Sequence, residues 1–521
     1  MEDILLTMTR RGFLKGAAIC AMASGLPAMA GCAGATRYRP DGAAAGKALV
    51  LANARIIDVA AGALSPLSTL VCRDGRIESI GDRIPELQQG DRVVDLMRAY
   101  VLPGLIDAHC HATLPGQSSL SASDLLITLR QIERNFVQQI RQGVTTIRDM
   151  GALPEVLHDR LRAISQGDLI GPRVVYCNAF TNVEGGHPDI DPAKVSILGA
   201  LAEPFIGRSS VWFKNTQELV WAMTENLRRG ASFIKLTMDR ISVLCGKGGI
   251  PAYTDEHLRI IADFAQRHHL PVAGHVHTRF GFDRAVGWGL SSIEHSLSGV
   301  ILTDKDAETM ARKSVACVPT LVIGQMLSAP EAFEALPQKY RTEFIENELE
   351  IRRRYIYETD LNRYTQASIH RGNIAHLKNY RRYGCGGLYA RGLYMADPEL
   401  YFNILLAGPR NLLTMRDAGV LIGCGTDAGV PFAYHGTLWR EMEMLGRCGL
   451  ANAQVLRAAT INNAKILGLD DRIGSIETGK AADLAVFEQN PLDTLEACRN
   501  PKLVVKDGRI YDVEKIGLSS S

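Results

Sequence analysis

Two histidines two residues apart, His109 and His111, stand at the end of the apolar run Val101-Leu102-Pro103-Gly104-Leu105-Ile106-Asp107-Ala108. Alternate side chains of a strand share a face, so the two imidazoles project together, as two ligands of one metal must. An HxH pair alone is common and says little. Here it has company: Lys235, His275, His295 and Asp427 each close a short apolar run as well, the last of them Val420-Leu421-Ile422-Gly423-Cys424-Gly425-Thr426-Asp427. Imidazole and carboxylate donors in one set suit Zn, Mn or Fe. Cys110, between the two histidines, should face the opposite way, into the wall of the fold.

The elements that must carry these residues alternate strand-like and helix-like stretches through the middle of the chain, the pattern of repeated βα units. Eight strand candidates cover 102–108, 145–148, 173–178, 233–236, 272–275, 292–295, 316–321 and 420–424. Eight such strands fit a closed (β/α)8 TIM barrel, whose active site lies at the C-terminal ends of its strands, where all six ligand candidates fall. Before the barrel, short strands are expected at 48–57, 68–71, 76–80, 93–95 and 100–102, with Asp74-Gly75 as a hairpin turn; strand, turn and strand over 483–487 and 503–511, through Asp507-Gly508, resume that style. Both ends of the chain therefore build one small β domain, 47–103 with 466–515, around a barrel of 104–465. A charge-dense, tyrosine-rich helical insertion of about 325–400 is expected to serve as a lid, as an oligomer contact, or as a plain solvated hairpin.

At 521 residues, 46% hydrophobic and 22% charged, the sequence reads as globular, and its net charge of +2 gives no reason to expect nucleic acid as a partner. Eleven cysteines without a CxxC pair, several inside apolar runs (Cys72, Cys177, Cys317, Cys424), read as buried small hydrophobes rather than as disulfides. The N-terminus is an address rather than part of the fold. Thr9-Arg10-Arg11-Gly12-Phe13-Leu14-Lys15 resembles a twin-arginine export motif and precedes a run of small apolar residues ending in Met29-Ala30-Gly31-Cys32. Export of a folded, metal-loaded protein by the twin-arginine machinery to the periplasm or cell envelope is the expectation. Residues 1–32 are the signal and 33–46 a tether, with Cys32 as a site of lipidation; ordinary cleavage near Ala28-Met29-Ala30 is the alternative.

Leu102-Pro103-Gly104-Leu105-Ile106-Asp107-Ala108-His109-Cys110-His111, with Ile234-Lys235, Gly274-His275-Val276-His277, Ile293-Glu294-His295 and Gly425-Thr426-Asp427-Ala428-Gly429, resembles the metal-dependent amidohydrolase superfamily. The likeness is strongest to its imidazolonepropionase-like and Xaa-Pro-dipeptidase-like branch. Supporting stretches are 143–149, Gly185-Gly186-His187 and Ala459-Thr460-Ile461-Asn462-Asn463-Ala464. The resemblance spans roughly 47–515 and weakens over 188–215 and the insertion. It implies a β-sandwich beside a distorted (β/α)8 barrel, and two divalent metals, Zn before Mn or Fe, bridged by a hydroxide and a carboxylated lysine. His109, His111 and Asp427 would hold one metal, His275 and His295 the other, and Lys235, as its CO2-derived carbamate, both.

The chemistry expected of that set is hydrolysis of an amide carbon–nitrogen bond in a dipeptide, an N-acyl amino acid or an aryl amide. A metal-activated water attacks, and Asp427 carries its proton to the leaving nitrogen. His187 is expected either to polarise the carbonyl or to pack its loop. His277 reads as a substrate contact before a substitute ligand or a supporting group, and Tyr434 and His435 are candidate substrate contacts. Glu294 should point out of the barrel, and His268-His269 belong to an exposed helix end. Two other reaction types compete: opening of a cyclic amide, which export out of the cytoplasm disfavours, and cleavage of esters, carbamates or phosphotriesters. An exported, non-enzymatic metal-binding lipoprotein has no use for Lys235 and Asp427 together. A homo-oligomer is expected.

Overall fold

The computed structural model describes residues 40–42, 46–118, 125–188, 207–243, 248–379 and 397–516. The export motif, Cys32 and the glycine-bearing stretch 383–389 lie outside the described residues. The chain opens with β1 (Ala48–Asp58), β2 (Ala63–Arg73), β3 (Arg76–Gly81), β4 (Arg92–Asp95) and β5 (Tyr100–Pro103). The middle supplies β6 (Leu105–Cys110), β7 (Val144–Asp149), β8 (Arg173–Tyr176), β9 (Phe180–Val183), β10 (Ser210–Phe213), β11 (Ile234–Thr237), β12 (Val272–His275), β13 (Ser292–Glu294) and β14 (Ala316–Val318). The end returns with β15 (Leu484–Phe487), β16 (Leu503–Lys506) and β17 (Arg509–Asp512).

Strands from both ends form one sheet, ordered β17-β16-β15-β5-β1-β2-β3 with β4 beside β1. The sheet folds over its own core. The Asp74-Gly75 turn meets the Asp507-Gly508 turn, where Gly508 N donates to Ala482 and Ala482 N donates to Gly75. Enclosed between are Leu49, Leu51, Ile56, Leu70 and Ile77 from the first half and Leu484, Val486, Val505 and Ile510 from the second. Their two-residue spacing is the alternation of strands with one buried face.

The middle strands pair in parallel, β6-β7-β8 and β11-β12-β13-β14. Single bonds join these two groups into a ring. Ser232 N donates to Tyr176 on one side; on the other, Cys317 N donates to Leu421, Gly423 N to Cys317 and Ala108 N to Cys424. Segment 421–424 is thus the eighth stave, but it makes isolated bridges (Cys317 with Ile422) instead of the full ladder that the sequence predicts. Glycines there serve close approach, not pairing: a Cβ on Gly425 would lie 2.7 Å from His109 Cβ and 2.8 Å from His109 N. β9 and β10, which no strand expectation covered, form a separate parallel pair after the third stave.

Helices α1 (Leu125–Arg141), α2 (Pro154–Gln166), α3 (Thr216–Arg228), α4 (Asp255–His268), α5 (Arg279–Gly287), α6 (Asp304–Arg312) and α7 (Leu321–Leu327) alternate with the strands. In α4 the buried residues Leu258, Ile261, Phe264 and Ala265 recur at helical spacing, Thr254 caps the start by accepting from His257 N, and left-handed His269 ends it. His268 and His269 are exposed there, as expected of a helix end.

After α7 come α8 (Glu343–Tyr357), α9 (Ala367–Lys378), α10 (Pro398–Asp417) and, beyond the eighth stave, α11 (Leu438–Arg447). α9 is tied to two loops: Asn373 Oδ1 accepts from Ser118 N at 2.7 Å, and Asn373 Nδ2 donates to the Tyr434 hydroxyl at 3.1 Å. Asn463 closes the barrel seam. Its side chain donates to the carbonyls of Ile106 and Cys424, at 2.6 and 2.7 Å, and accepts from Cys424 N at 3.0 Å.

Candidate metal centre

The ends of β6, β12 and β13 and the turn after the eighth stave bring together two groups of buried ligand atoms, His109–His111–Asp427 and His275–His277–His295. His109 and His111 do share a direction; their ring centroids are 5.7 Å apart. Asp427 is aimed at them by backbone pairing, its N–H donating to His109 O at 2.7 Å and its φ of 53° turning the chain inward. Asp427 Oδ1 then lies 3.3 Å from His109 Nε2 and 3.0 Å from His111 Nε2.

What fills those contacts follows from the other ring nitrogens. His109 Nδ1 faces the Glu294 carboxylate at 2.8 Å and His111 Nδ1 faces the Gly151 carbonyl at 3.0 Å, so both must donate. Each Nε2 is left with a lone pair pointing at a carboxylate oxygen. Lone pairs gathered this closely in a buried site repel unless a cation lies among them. The short N···O distances are therefore not hydrogen bonds, and His109 Nε2 and Asp427 Oδ1 are both without a hydrogen-bond partner.

In the second group one ring nitrogen, that of His277, is fixed in the same way. His277 Nδ1 donates to Ser296 O at 2.8 Å, and His295 Nδ1 lies 2.9 Å from Thr320 Oγ1. His275, His277 and His295 pack with ring centroids 4.4 to 4.9 Å apart, and buried His275 Nε2 has no hydrogen-bond partner. Burial pushes the His275 and His295 imidazoles well down, which favours the neutral form that a metal ligand needs. His277 thus stands inside a ligand group, beyond the substrate contact that the sequence favoured.

Lys235 lies on β11, buried, with its Nζ unpartnered. Burial pushes its ammonium down to about 8. A free amine is then accessible near neutral pH, as carbamate formation with CO2 requires. His187 also reaches the site: its ring is 4.9 Å from His275 and its buried Nδ1 has no partner. Asn182 holds that loop, donating to His187 O at 2.6 Å while accepting from Thr237 Oγ1 at 3.0 Å. Burial lowers the His187 imidazole to about 3, so it is neutral.

Tyr434 and His435 are placed differently. Tyr434 is buried with its hydroxyl on His370 Nδ1 and Asn373; His435 contacts Gln139 Nε2 and, at 3.2 Å, the carbonyl of His111. Both fasten the mouth of the barrel. Glu294 does not point outward, contrary to strand alternation. It is fully buried, touches His109 and Arg148, and is held down to about 2, burial opposing its charge but Arg148 and His109 favouring it. The reason is His295, whose φ of 75° ends the extended chain and lets both residues turn inward. Cys110 faces the wall as expected, and all seven described cysteines are free and buried.

Residues 100–511 match the model of the Amidohydrolase family. The chain belongs to that family and is a hydrolytic enzyme acting on carbon–nitrogen bonds. It is 26% identical to an uncharacterized protein of Mycobacterium tuberculosis over 445 residues, 84% of this chain and 90% of that one. It is 23% identical to ochratoxinase of Aspergillus niger over 450 residues, 80% of this chain and 76% of that one. Among solved structures, a Xaa-Pro dipeptidase with methionine bound in its active site superposes with a TM-score of 0.65 at 22% identity, covering 89% of this chain and all of the other.

Proposed function

We propose that the protein is an exported binuclear metal-dependent amidohydrolase that cleaves the amide bond of a dipeptide, an N-acyl amino acid or an aryl amide. The observation that carries the reading is the pair of buried groups of ligand-type atoms, with His109 Nε2, Asp427 Oδ1 and His275 Nε2 left without hydrogen-bond partners. His109, His111 and Asp427 would hold one divalent ion; His275 and His295, with His277 in reach, the other. Lys235 would contribute to both as a carbamate: its neutral amine nitrogen bonds to the carbon of CO2, one C=O electron pair moves to oxygen, and the nitrogen releases a proton. When bound, two such ions lower the pKa of water from ~15.7 toward ~7 and polarise the scissile carbonyl.

The chain's own groups do the rest. Asp427 accepts the proton of the attacking water at its carboxylate and passes it to the leaving nitrogen, without which an amide does not break. His187 donates an N–H from its unpartnered ring nitrogen to the carbonyl oxygen. The twin-arginine stretch and the Cys32 box support export and a lipid anchor. The names of two relatives, a Xaa-Pro dipeptidase and an ochratoxinase, support amide substrates. The test is metal analysis of the purified protein with a screen of dipeptides, N-acyl amino acids and aryl amides. Two ions per chain and turnover of at least one amide class are expected; turnover confined to esters or phosphotriesters would replace the reading.

A further inference from the structure

We propose that Glu294 and Arg148 act as a positioning pair that presets His109 as a ligand and so governs how tightly the His109–His111–Asp427 group holds its ion. The inference rests on the two-group metal reading above. Glu294 Oε2 lies 2.8 Å from His109 Nδ1, both side chains wholly buried. Glu294 Oε1 accepts from Arg148 Nη2 at 2.7 Å and from Ser292 Oγ at 2.5 Å. A carboxylate only accepts, so the proton of neutral His109 must sit on Nδ1 and the lone pair on Nε2, toward Asp427. The other tautomer would set a lone pair against an anion.

Arg148 performs two tasks. It makes a buried carboxylate tolerable at this depth, and its Nε donates at 2.6 Å to the carbonyl of Ala108, the residue before His109. The ligand is therefore gripped at ring and at backbone by one ion pair. The other imidazoles are held differently: His111 and His277 donate to backbone carbonyls, and His295 faces a hydroxyl. Of the Nδ1 partners described in the two groups, an anion supports His109 alone. A carboxylate behind a ligating histidine raises its basicity and fixes its orientation, so this pair should act on one ion and not on the other.

The experiment compares apo wild type, Glu294→Gln and the double variant R148M/E294Q, which removes both charges and leaves no unpaired ion in the core. Each is titrated with Zn²⁺ against a chromophoric chelator and with Co²⁺ followed by visible absorbance, and the His111→Ala and His275→Ala spectra assign the two sites. Wild type should bind two ions. Both Glu294 variants should keep one with unchanged affinity and bind the one assigned to the His111 group about 10–100-fold more weakly. A folded variant that binds both ions as wild type does, or that weakens both alike, overturns the proposal. A wild type that takes up fewer than two ions overturns the metal reading instead.

Discussion

Asn463→Ala should be strongly destabilising. The Asn463 side chain is inaccessible to solvent and stitches the first stave to the eighth through three hydrogen bonds. Truncation leaves the Cys424 N–H and the Ile106 carbonyl without these partners, while the Cys424 carbonyl keeps Ala108 N. At roughly 1–3 kcal/mol for each buried group left unsatisfied, the two together cost about 2–6 kcal/mol. That is a large share of the ~5–15 kcal/mol that holds a typical domain folded. Asn463→Asp is the sharper variant: it keeps an acceptor for Cys424 N but turns a second oxygen on two carbonyl oxygens, and should be at least as damaging. Urea unfolding followed by far-UV circular dichroism measures the difference, with metal content taken on the same samples, because Ile106 and Cys424 each lie three residues before a ligand. An N463A midpoint equivalent to less than about 1 kcal/mol of destabilisation, or an N463D variant more stable than N463A, would refute this account of the seam.

Three further outcomes are expected. Lys235→Ala should lose most activity and recover part of it with added short-chain carboxylic acids, which replace the missing carboxylate; full activity with one ion per chain would rule out a bridging role. Asp427→Asn keeps the shape and one oxygen donor but cannot accept a proton, so turnover should fall by about 10²–10⁴-fold on any substrate the wild type accepts, with circular dichroism unchanged. Near-normal turnover there would reassign the proton carrier. Replacing Arg10 and Arg11 with lysine should leave folded, metal-loaded enzyme in the cytoplasm; continued export, read by cell fractionation, would point to the general secretory route.

The barrel and the sheet were legible in the sequence because apolar runs of strand length end in ligand-type residues and because Asp74-Gly75 and Asp507-Gly508 mark turns. The convergence of the candidate ligand residues was legible for the same reason, although His277, which spacing favoured as a substrate contact, stands among them. Glu294 was misread because alternation assumes extended backbone, and the left-handed His295 breaks that assumption one residue later. A signal was present nonetheless: Arg148 on β7 is an inward charge in a strand otherwise buried, and such a charge needs a partner. Tyr434 and His435 were placed by proximity in sequence to Asp427, whereas the partners that fasten them, His370, Asn373 and Gln139, come from α9 and α1, far away along the chain. The eighth stave fell short of a ladder where its glycines make close approaches, Gly423 to Asn463 and Gly425 to His109.

The pairing of β5 with β15 has a consequence for how this molecule is made. Leu484 is the partner of Pro103, about 380 residues earlier in the chain. At ~5–20 residues per second, the ribosome needs roughly 20–80 s to deliver β15, the first strand of the sheet's second half. Through that interval the half-built sheet displays Leu49, Leu51, Ile56 and Val101 with no opposing layer. Newborn chains of this protein should therefore depend on holding factors until the last fifty residues emerge, and a premature stop near residue 480 should yield aggregate rather than a trimmed barrel.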